Sequence, residues 1–311
     1  APVAIACDLH PDYGSTRWAQ EAVARFSDGC RLIAVQHHHA HFAACLAENG
    51  ADGPALGIIW DGAGYGPDGT IWGGEALVGD PGRMRRAAHL RPFRLPGGEM
   101  ATRQPRRTAL ALLYDTFGDV VFGWDDLAPV ASFARSERPI VASMLRRGFN
   151  APLTTSAGRL FDGVAALAGL RQRTGYEGEA AMALEFAADP TVTDAYPLAI
   201  EPGDVLVIDW RPIIEGVVGD VRHGRDVSVI AARFHNSLVE SMLGVAQVVG
   251  LPRVALSGGC FQNKLLVEGA IRRLEPAGFA VLLHSAVPPN DGGVSLGQIA
   301  VAAALLAHKE F

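Results

Sequence analysis

Three short apolar runs near the start of the chain, residues 2–8, 31–36 and 55–60, are separated by two stretches of helical periodicity, and this alternation restricts the fold more than any other feature. Runs of that length bounded by turn residues read as strands, and strand–helix–strand order requires a crossover that sets the strands parallel. Residues 15–26 place Trp18, Ala22, Val23 and Phe26 on one helical face. Residues from about 38 to 48 read as a second helix, closed by Asn49-Gly50, a frequent C-terminal stop. The expectation is a parallel β-α-β-α-β sheet. Residues 71–78 and 83–94 read as two extended segments joined by Gly79-Asp80-Pro81-Gly82, a turn by composition.

Residues 100–150 read as helices, with 108–117 and 139–147 the clearest and the basic cluster Arg103, Arg106 and Arg107 in front. A second α/β block begins near residue 156, with helices expected at 158–170, 178–188, 227–249, 263–274 and 294–307. Its strands are expected at 195–199, 204–209, 253–256 and 279–283. Three blocks follow: a first α/β lobe at 1–99, a helical connector or insertion at 100–155, and a second α/β lobe at 156–311, with a cleft between the lobes.

Charge and hydropathy remove several partner classes. A net charge of −6 gives no global basic field to gather phosphates, so nucleic acid is not expected. The longest apolar stretch, 299–307, falls short of the about 20 residues that a membrane-spanning helix needs. The first residues lack the charged start and long apolar run of a signal peptide, which points to the cytoplasm. Four cysteines without a Cys-x-x-Cys pair fit reduced, buried thiols.

The densest polar cluster is Gln36-His37-His38-His39-Ala40-His41, at a strand–helix junction. Residues four apart on a helix lie one above the other, so His37 and His41 can present two imidazoles to one metal ion, and His38 with His41 is the competing pair. Two histidines leave such a site incomplete. Acids stand at two expected loop mouths: Asp61 in Asp61-Gly62-Ala63-Gly64-Tyr65-Gly66, where glycines would let backbone N–H groups cradle a phosphate, and Asp291 in Pro289-Asn290-Asp291-Gly292-Gly293. The segment Ser257-Gly258-Gly259-Cys260-Phe261-Gln262-Asn263 has neither the lysine of a Walker A loop nor dinucleotide-binding spacing. Gly158-Arg159-Leu160-Phe161-Asp162 adds an acid near a helix start, able to compensate the helix dipole or to accept from a ribose hydroxyl.

Together with Asp8-Leu9-His10-Pro11-Asp12-Tyr13, these motifs resemble, in order and across nearly the whole chain, the C-terminal portion of the HypF family of hydrogenase-maturation carbamoyltransferases. That portion belongs to the actin-like ATPase (ASKHA) group, which also holds the TsaD enzymes and antibiotic O-carbamoyltransferases. The resemblance implies an α/β, two-lobed actin-like fold with a central nucleotide and metal cleft. It implies an iron or zinc ion on His37, His41, Asp61 and Asp291, with His38 and His39 beside the ligands as bases or supports. It also implies a nucleotide site at Gly62, Ala63, Gly64, Gly158, Asp162, Gly178, Gly258, Gly259 and Asn263, with Asp162 on the ribose.

The implied reaction moves a carbamoyl group from ATP-derived carbamoyl-adenylate, with magnesium as an optional companion, to the C-terminal cysteine of the partner HypE. Transfer to a small-molecule hydroxyl, or non-catalytic nucleotide binding, are the alternatives; a sugar kinase of this fold has no use for clustered histidines. The adenylate-forming YrdC-like domain, the acylphosphatase domain and the cysteine-pair zinc modules of the family have no counterpart in these residues, and the opening hairpin ahead of Asp8 is expected to be missing or cut. Transfer alone is therefore the expected half-reaction. Gln104 and Arg106 replace the glutamate and tryptophan usual in the family, which bears on the local contacts of the connector.

Overall fold

The computed structural model describes residues 2–26 and 29–307. It opens with β1 (Ala4–Asp8), α1 (Gly14–Arg25), β2 (Arg31–Val35) and α2 (His37–Glu48). A meander follows: β3 (Ala55–Tyr65), β4 (Ile71–Asp80), β5 (Arg83–Leu90) and β6 (Phe93–Arg94). Helices α3 (Glu99–Arg103), α4 (Pro105–Phe117), α5 (Ala128–Ala131) and α6 (Arg138–Arg147) occupy the stretch expected to be helical. The chain continues through β7 (Leu153–Thr154), α7 (Ala157–Leu167), α8 (Glu179–Ala187), β8 (Ala199–Glu201), β9 (Leu206–Asp209), α9 (Arg211–Arg222) and α10 (Val227–Val249). It closes with β10 (Arg253–Ser257), α11 (Lys264–Leu274), β11 (Ala280–Leu282) and α12 (Val294–Ala307).

β1 and β2 pair in parallel, as a crossover through α1 requires, but they form a two-stranded sheet of their own. β3 instead enters a nine-stranded sheet of order β11-β10-β3-β4-β5-β9-β8, with β6 and β7 attached beside β4. This corrects the expected single β-α-β-α-β sheet. The physical reason is α2, whose residues 37–46 are all buried, so it needs protein on every side rather than one sheet beneath it. The large sheet covers one side of α2 and α12 covers another.

β3 lies between β10, to which it is parallel, and β4, to which it is antiparallel. Its residues alternate between two cores. Leu56, Ile58 and Trp60 join the larger core built with α4, α7 and α10, whereas Ala55 and Ile59 pack with Phe42, Cys45 and Leu46 of α2. Gly57 falls on the α2 side, where a Cβ would strike the Phe42 ring. A period of two then carries the same face on to Asp61, aiming its carboxylate at the start of α2.

The glycine-rich segment after Asp61 is not the loop expected from composition. β3 continues through Gly64 and Tyr65, which pair with Trp72 and Ile71 of β4 after a register shift between Trp60 and Gly64. The glycines serve close approach instead: a Cβ on Gly64 would run into His38, and one on Gly158 would press on Gly62. One helix, α9, was not legible in the sequence, because Gly216 and Gly219 weaken its signal. Gly216 is required there by the Tyr196 ring packed against it.

The contact between α2 and α12 allows a direct test of this packing. Gly297 of α12 has no space for a side chain, because the Ala40 carbonyl of α2 occupies the place a Cβ would take. Helix propensity alone makes Gly→Ala favourable by about 1 kcal/mol. Gly297→Ala is expected to act in the opposite sense and to lower stability by more than about 2 kcal/mol through overpacking. Denaturant midpoints decide the sign, and an unchanged or raised midpoint would show that α2 and α12 are not in van der Waals contact at this position.

Candidate metal and nucleotide site

Four side chains from three separate segments converge where β1, β3, α2 and α12 meet. Gln36 starts α2, its side-chain oxygen accepting from the His39 backbone N–H at 2.9 Å. Glutamine is not among the preferred cap residues, so the sequence places the helix start one residue late. The true start at His37 puts His37 and His41 one turn apart on one face, their Nε2 atoms 3.2 Å from each other. Asp61 Oδ2 lies 3.2 Å from His37 Nε2 and 3.4 Å from His41 Nε2. Asp291 Oδ1 lies 3.4 and 3.5 Å from the same two nitrogens.

These separations fit a cation. Ligand atoms about 2.0–2.1 Å from a tetrahedral ion stand about 3.3–3.4 Å from one another. The four ligating atoms lie within 4.8 Å of one another. The donor set of two imidazoles and two carboxylates suits iron or zinc. Asp8, at the end of β1, accepts from His37 Nδ1 at 2.9 Å, which fixes the tautomer that leaves Nε2 free to ligate. Asp8 is in turn held by the His10 backbone N–H at 2.8 Å.

The electrostatics point the same way. Burial alone would lower the His37 pKa, but hydrogen bonds to Asp291, Asp61 and Asp8 reverse this and hold it at about 12. His41 is raised for the same reason, its burial outweighed by Asp291 and Asp61. Burial would raise Asp61, yet its bonds to His37 and His41 keep its carboxyl well below the usual range. The cluster therefore demands positive charge at its centre, as protons or as a metal ion.

His38 and His39 stand outside the ligand set. His38 Nδ1 accepts from the Gln36 amide at 3.1 Å, its Nε2 has no partner, and burial followed by the nearby His37 charge pushes its pKa well down. His39 Nε2 reaches the Asp80 carbonyl at 3.3 Å.

A pocket of about 610 Å³ opens beside the cluster, and Asp61 and Asp291 belong to its wall. Of the residues assigned to a nucleotide, Gly62, Ala63, Gly158, Asp162, Gly178 and Gly259 line it. The other three have different surroundings. Gly64 packs against His38 and His37. Gly258 donates to the Pro289 carbonyl at 2.9 Å, and with a φ of 100° it abuts the Trp60 backbone. Asn263 caps α11 through Leu266 N at 3.0 Å and meets His235 Nε2 at 2.8 Å. The structure also brings in Arg159, buried and 3.2 Å from Asp162, and Glu177 at the rim. Asp8 was the clearest omission among functional assignments, although it ends an apolar run in the same way as Asp61.

A family model described as "Carbamoyltransferase, Kae1-like Domain, second subdomain" matches residues 57–298, and one described as "HypF Kae1-like domain" matches residues 1–48. The chain is 43% identical to the carbamoyltransferase HypF of Synechocystis over 96% of its own length and 40% of that protein's. It is 39% identical to a carbamoyltransferase HypF homolog of Cupriavidus necator, over 96% of its own length and 77% of the relative's. The crystal structure of a full-length HypF in a phosphate- and nucleotide-bound form superposes with a TM-score of 0.91 at 39% identity, covering 98% of this chain and 39% of that one. That of HypF from T. kodakarensis gives 0.82 at 29% identity, covering 97% and 40%. The chain thus spans about 40% of the Synechocystis protein and of both solved structures. The likeness carries the fold with it, a mixed α/β sheet with helices of the actin-like ATPase kind.

Substitutions at the histidines separate ligands from neighbours. His37→Ala is expected to abolish tight binding of one zinc or iron ion per chain, whereas His38→Ala retains it. Asp8→Asn should keep the stoichiometry while weakening affinity about 10–100-fold, the usual cost of losing a carboxylate behind a metal-bound imidazole. Elemental analysis and competition with a chelator measure both. Full stoichiometry in His37→Ala with loss in His38→Ala would mean that the ligand register is shifted by one residue.

Proposed function

The chain belongs to the HypF carbamoyltransferase family, carrying its C-terminal Kae1-like region, and from that premise we propose that its cleft performs the carbamoyl-transfer half-reaction. The donor is carbamoyl-adenylate, the acceptor the C-terminal cysteine thiol of the partner HypE, and the product a thiocarbamate on the way to the cyanide ligands of NiFe hydrogenase. Four free cysteines and a thiol acceptor suit the reducing cytoplasm. No described helix is long and apolar enough to cross a membrane.

The observation that carries this reading is the double use of Asp61. Its Oδ2 faces His37 and His41, while its Oδ1 accepts from Gly259 N at 3.1 Å on the pocket wall. One side chain therefore belongs to both the cation centre and the pocket, so a group seated in the pocket stands beside the centre. His37, His41, Asp61 and Asp291 would hold an iron or zinc ion, which when bound would supply Lewis-acid polarisation of the carbamoyl carbonyl.

The protein's own residues do the positioning. Gly62 and Gly158 approach each other closely and leave the floor of the pocket free of side chains, as an acyl phosphate needs. Asp162 accepts from ribose hydroxyls. Burial pushes its pKa up to about 6, against the opposing pull of Arg159. Cys260 lines the pocket, but burial followed by the Asp61 charge pushes its thiol well up, which leaves the nucleophile to come from outside. In the transfer, the incoming sulfur forms a bond to the carbamoyl carbon, the bond from that carbon to the phosphate oxygen of AMP breaks with its electron pair leaving on AMP, and the thiol proton departs to solvent.

Mass spectrometry of a cysteine-terminated acceptor peptide, incubated with the metal-loaded chain and carbamoyl-adenylate, tests the proposal. A carbamoyl mass on the peptide is expected, and its loss with Asp61→Asn; no gain with the intact metal-loaded chain would reject transfer. Nucleotide binding gives an independent check with a defined sign. Because the ionised Asp162 accepts from ribose hydroxyls more strongly than the neutral acid, adenosine affinity should rise as pH increases through about 6 and then level off, and Asp162→Asn should bind weakly with no such step. Calorimetry across pH 5–8 reads this, and a flat profile in the wild-type chain would remove Asp162 from the ribose.

A further inference from the structure

Three residues far apart in sequence form a hydrogen-bonded relay behind the cation centre. Ser257 Oγ lies 2.8 Å from His284 Nε2, and His284 Nδ1 lies 2.8 Å from Glu48 Oε2. Serine, histidine and glutamate in this order have the geometry of a hydrolase triad. Ser257 is completely buried, however, so no substrate reaches its hydroxyl. The function of the relay must be sought in what it ties together.

Glu48 is the last residue of α2, the helix that carries His37 and His41. Its other oxygen, Oε1, accepts from Ser285 N at 2.7 Å, Ser285 Oγ at 3.0 Å, Val287 N at 3.4 Å and also Ala286 N. Asn49 adds a bond to the Leu283 carbonyl at 3.0 Å. The segment gripped in this way leads within four residues to Asp291. On the far side of His284, Ser257 ends β10 and precedes Gly258 and Gly259, which donate to the Pro289 carbonyl and to Asp61 respectively. All three ligand-bearing segments are thus joined at one point.

Asp291 is the ligand most in need of such support. Its side chain is 76% exposed, against 4% for His37, 1% for His41 and 11% for Asp61. It also lies on a turn, Asp291–Gly293, rather than within a long helix or strand. We infer that Glu48 and His284 are positioning residues that hold the 284–290 segment so that Asp291 completes the cation centre. Burial keeps His284 neutral, which matches a single tautomer donating from Nδ1 to Glu48 and accepting at Nε2 from Ser257. Backbone N–H groups override the effect of burial on Glu48 and keep its carboxyl ionised down to about pH 2. The brace rests on the cation reading of the site.

Cobalt(II) binding to the full chain tests it, with affinity from competition and coordination from the visible spectrum. Glu48→Gln is expected to weaken cobalt binding about 10–100-fold, as losses behind a metal ligand do. The spectrum should change as it does in Asp291→Ala. In the Asp291→Ala background, Glu48→Gln should cost nothing further, an outcome that general destabilisation would not produce. His284→Asn retains a donor toward Glu48 and should hold affinity near the wild-type value, whereas His284→Leu should not. Equal losses from Glu48→Gln with and without Asp291, or wild-type affinity in Glu48→Gln, would overturn the brace while leaving the centre intact. Absence of cobalt binding in the wild-type chain would overturn the centre itself and the brace with it.

Discussion

Two imidazoles and two carboxylates crowded together on the inner edge of a sheet are unfavourable unless positive charge sits among them, and much of the chain is arranged around that requirement. Removing one partner of a buried charged cluster costs about 3–5 kcal/mol, because the others are left uncompensated. The ligands therefore come from elements that cannot easily separate. α2 is enclosed between the large sheet and α12, Asp61 is at the end of the most buried stretch of β3, and Asp291 leads straight into α12. The same packing that buries Phe42 against Gly57 sets the height of the histidines over Asp61.

How much of this could be read from residues alone depends on whether the signal was local. His37 and His41 were legible because a helical period places them together whatever the helix packs against. The helix at 227–249 was legible for a similar reason, from its apolar periodicity, and that at 294–307 from an apolar run too long for a strand. The extension of β3 through Gly62 and Gly64 was hidden, because glycine is compatible with a loop and only the neighbouring strand β4 and the His38 ring select the extended form. The separation of β1 and β2 into their own sheet was hidden as well. Parallel pairing is implied by the crossover, but which third strand joins is decided by the burial of α2 on every side.

Among the site residues, the distinction runs between backbone and side-chain roles. Gly258 and Asn263 share a glycine-rich motif with Gly259, yet of these three Gly259 alone lines the pocket, together with Cys260 and Gln262 of the same motif. Gly258 is needed for a positive φ against Trp60, and Asn263 for capping α11. A motif marks the place where strand, turn and helix meet the ligand, but does not say which of its residues faces inward. Asp8 shows the converse. It is not among the residues lining the pocket and ends a strand of the smaller sheet, so its partnership with His37 exists only once the two sheets have been brought together by α2.

The unequal burial of the four proposed ligands also implies an order of events. His37 and His41 are closed off by protein, whereas Asp61 and Asp291 lie on the pocket wall, so a cation held by the four would enter and leave from the pocket side. A nucleotide bound as proposed would use the same doorway. On that proposal an ion would have to be seated before the pocket fills, and a seated nucleotide would then stand across its way out. Exchange of the ion would then be slowest while the pocket is occupied, a kinetic protection that requires no tighter ligation and follows from the two proposed sites sharing one entrance.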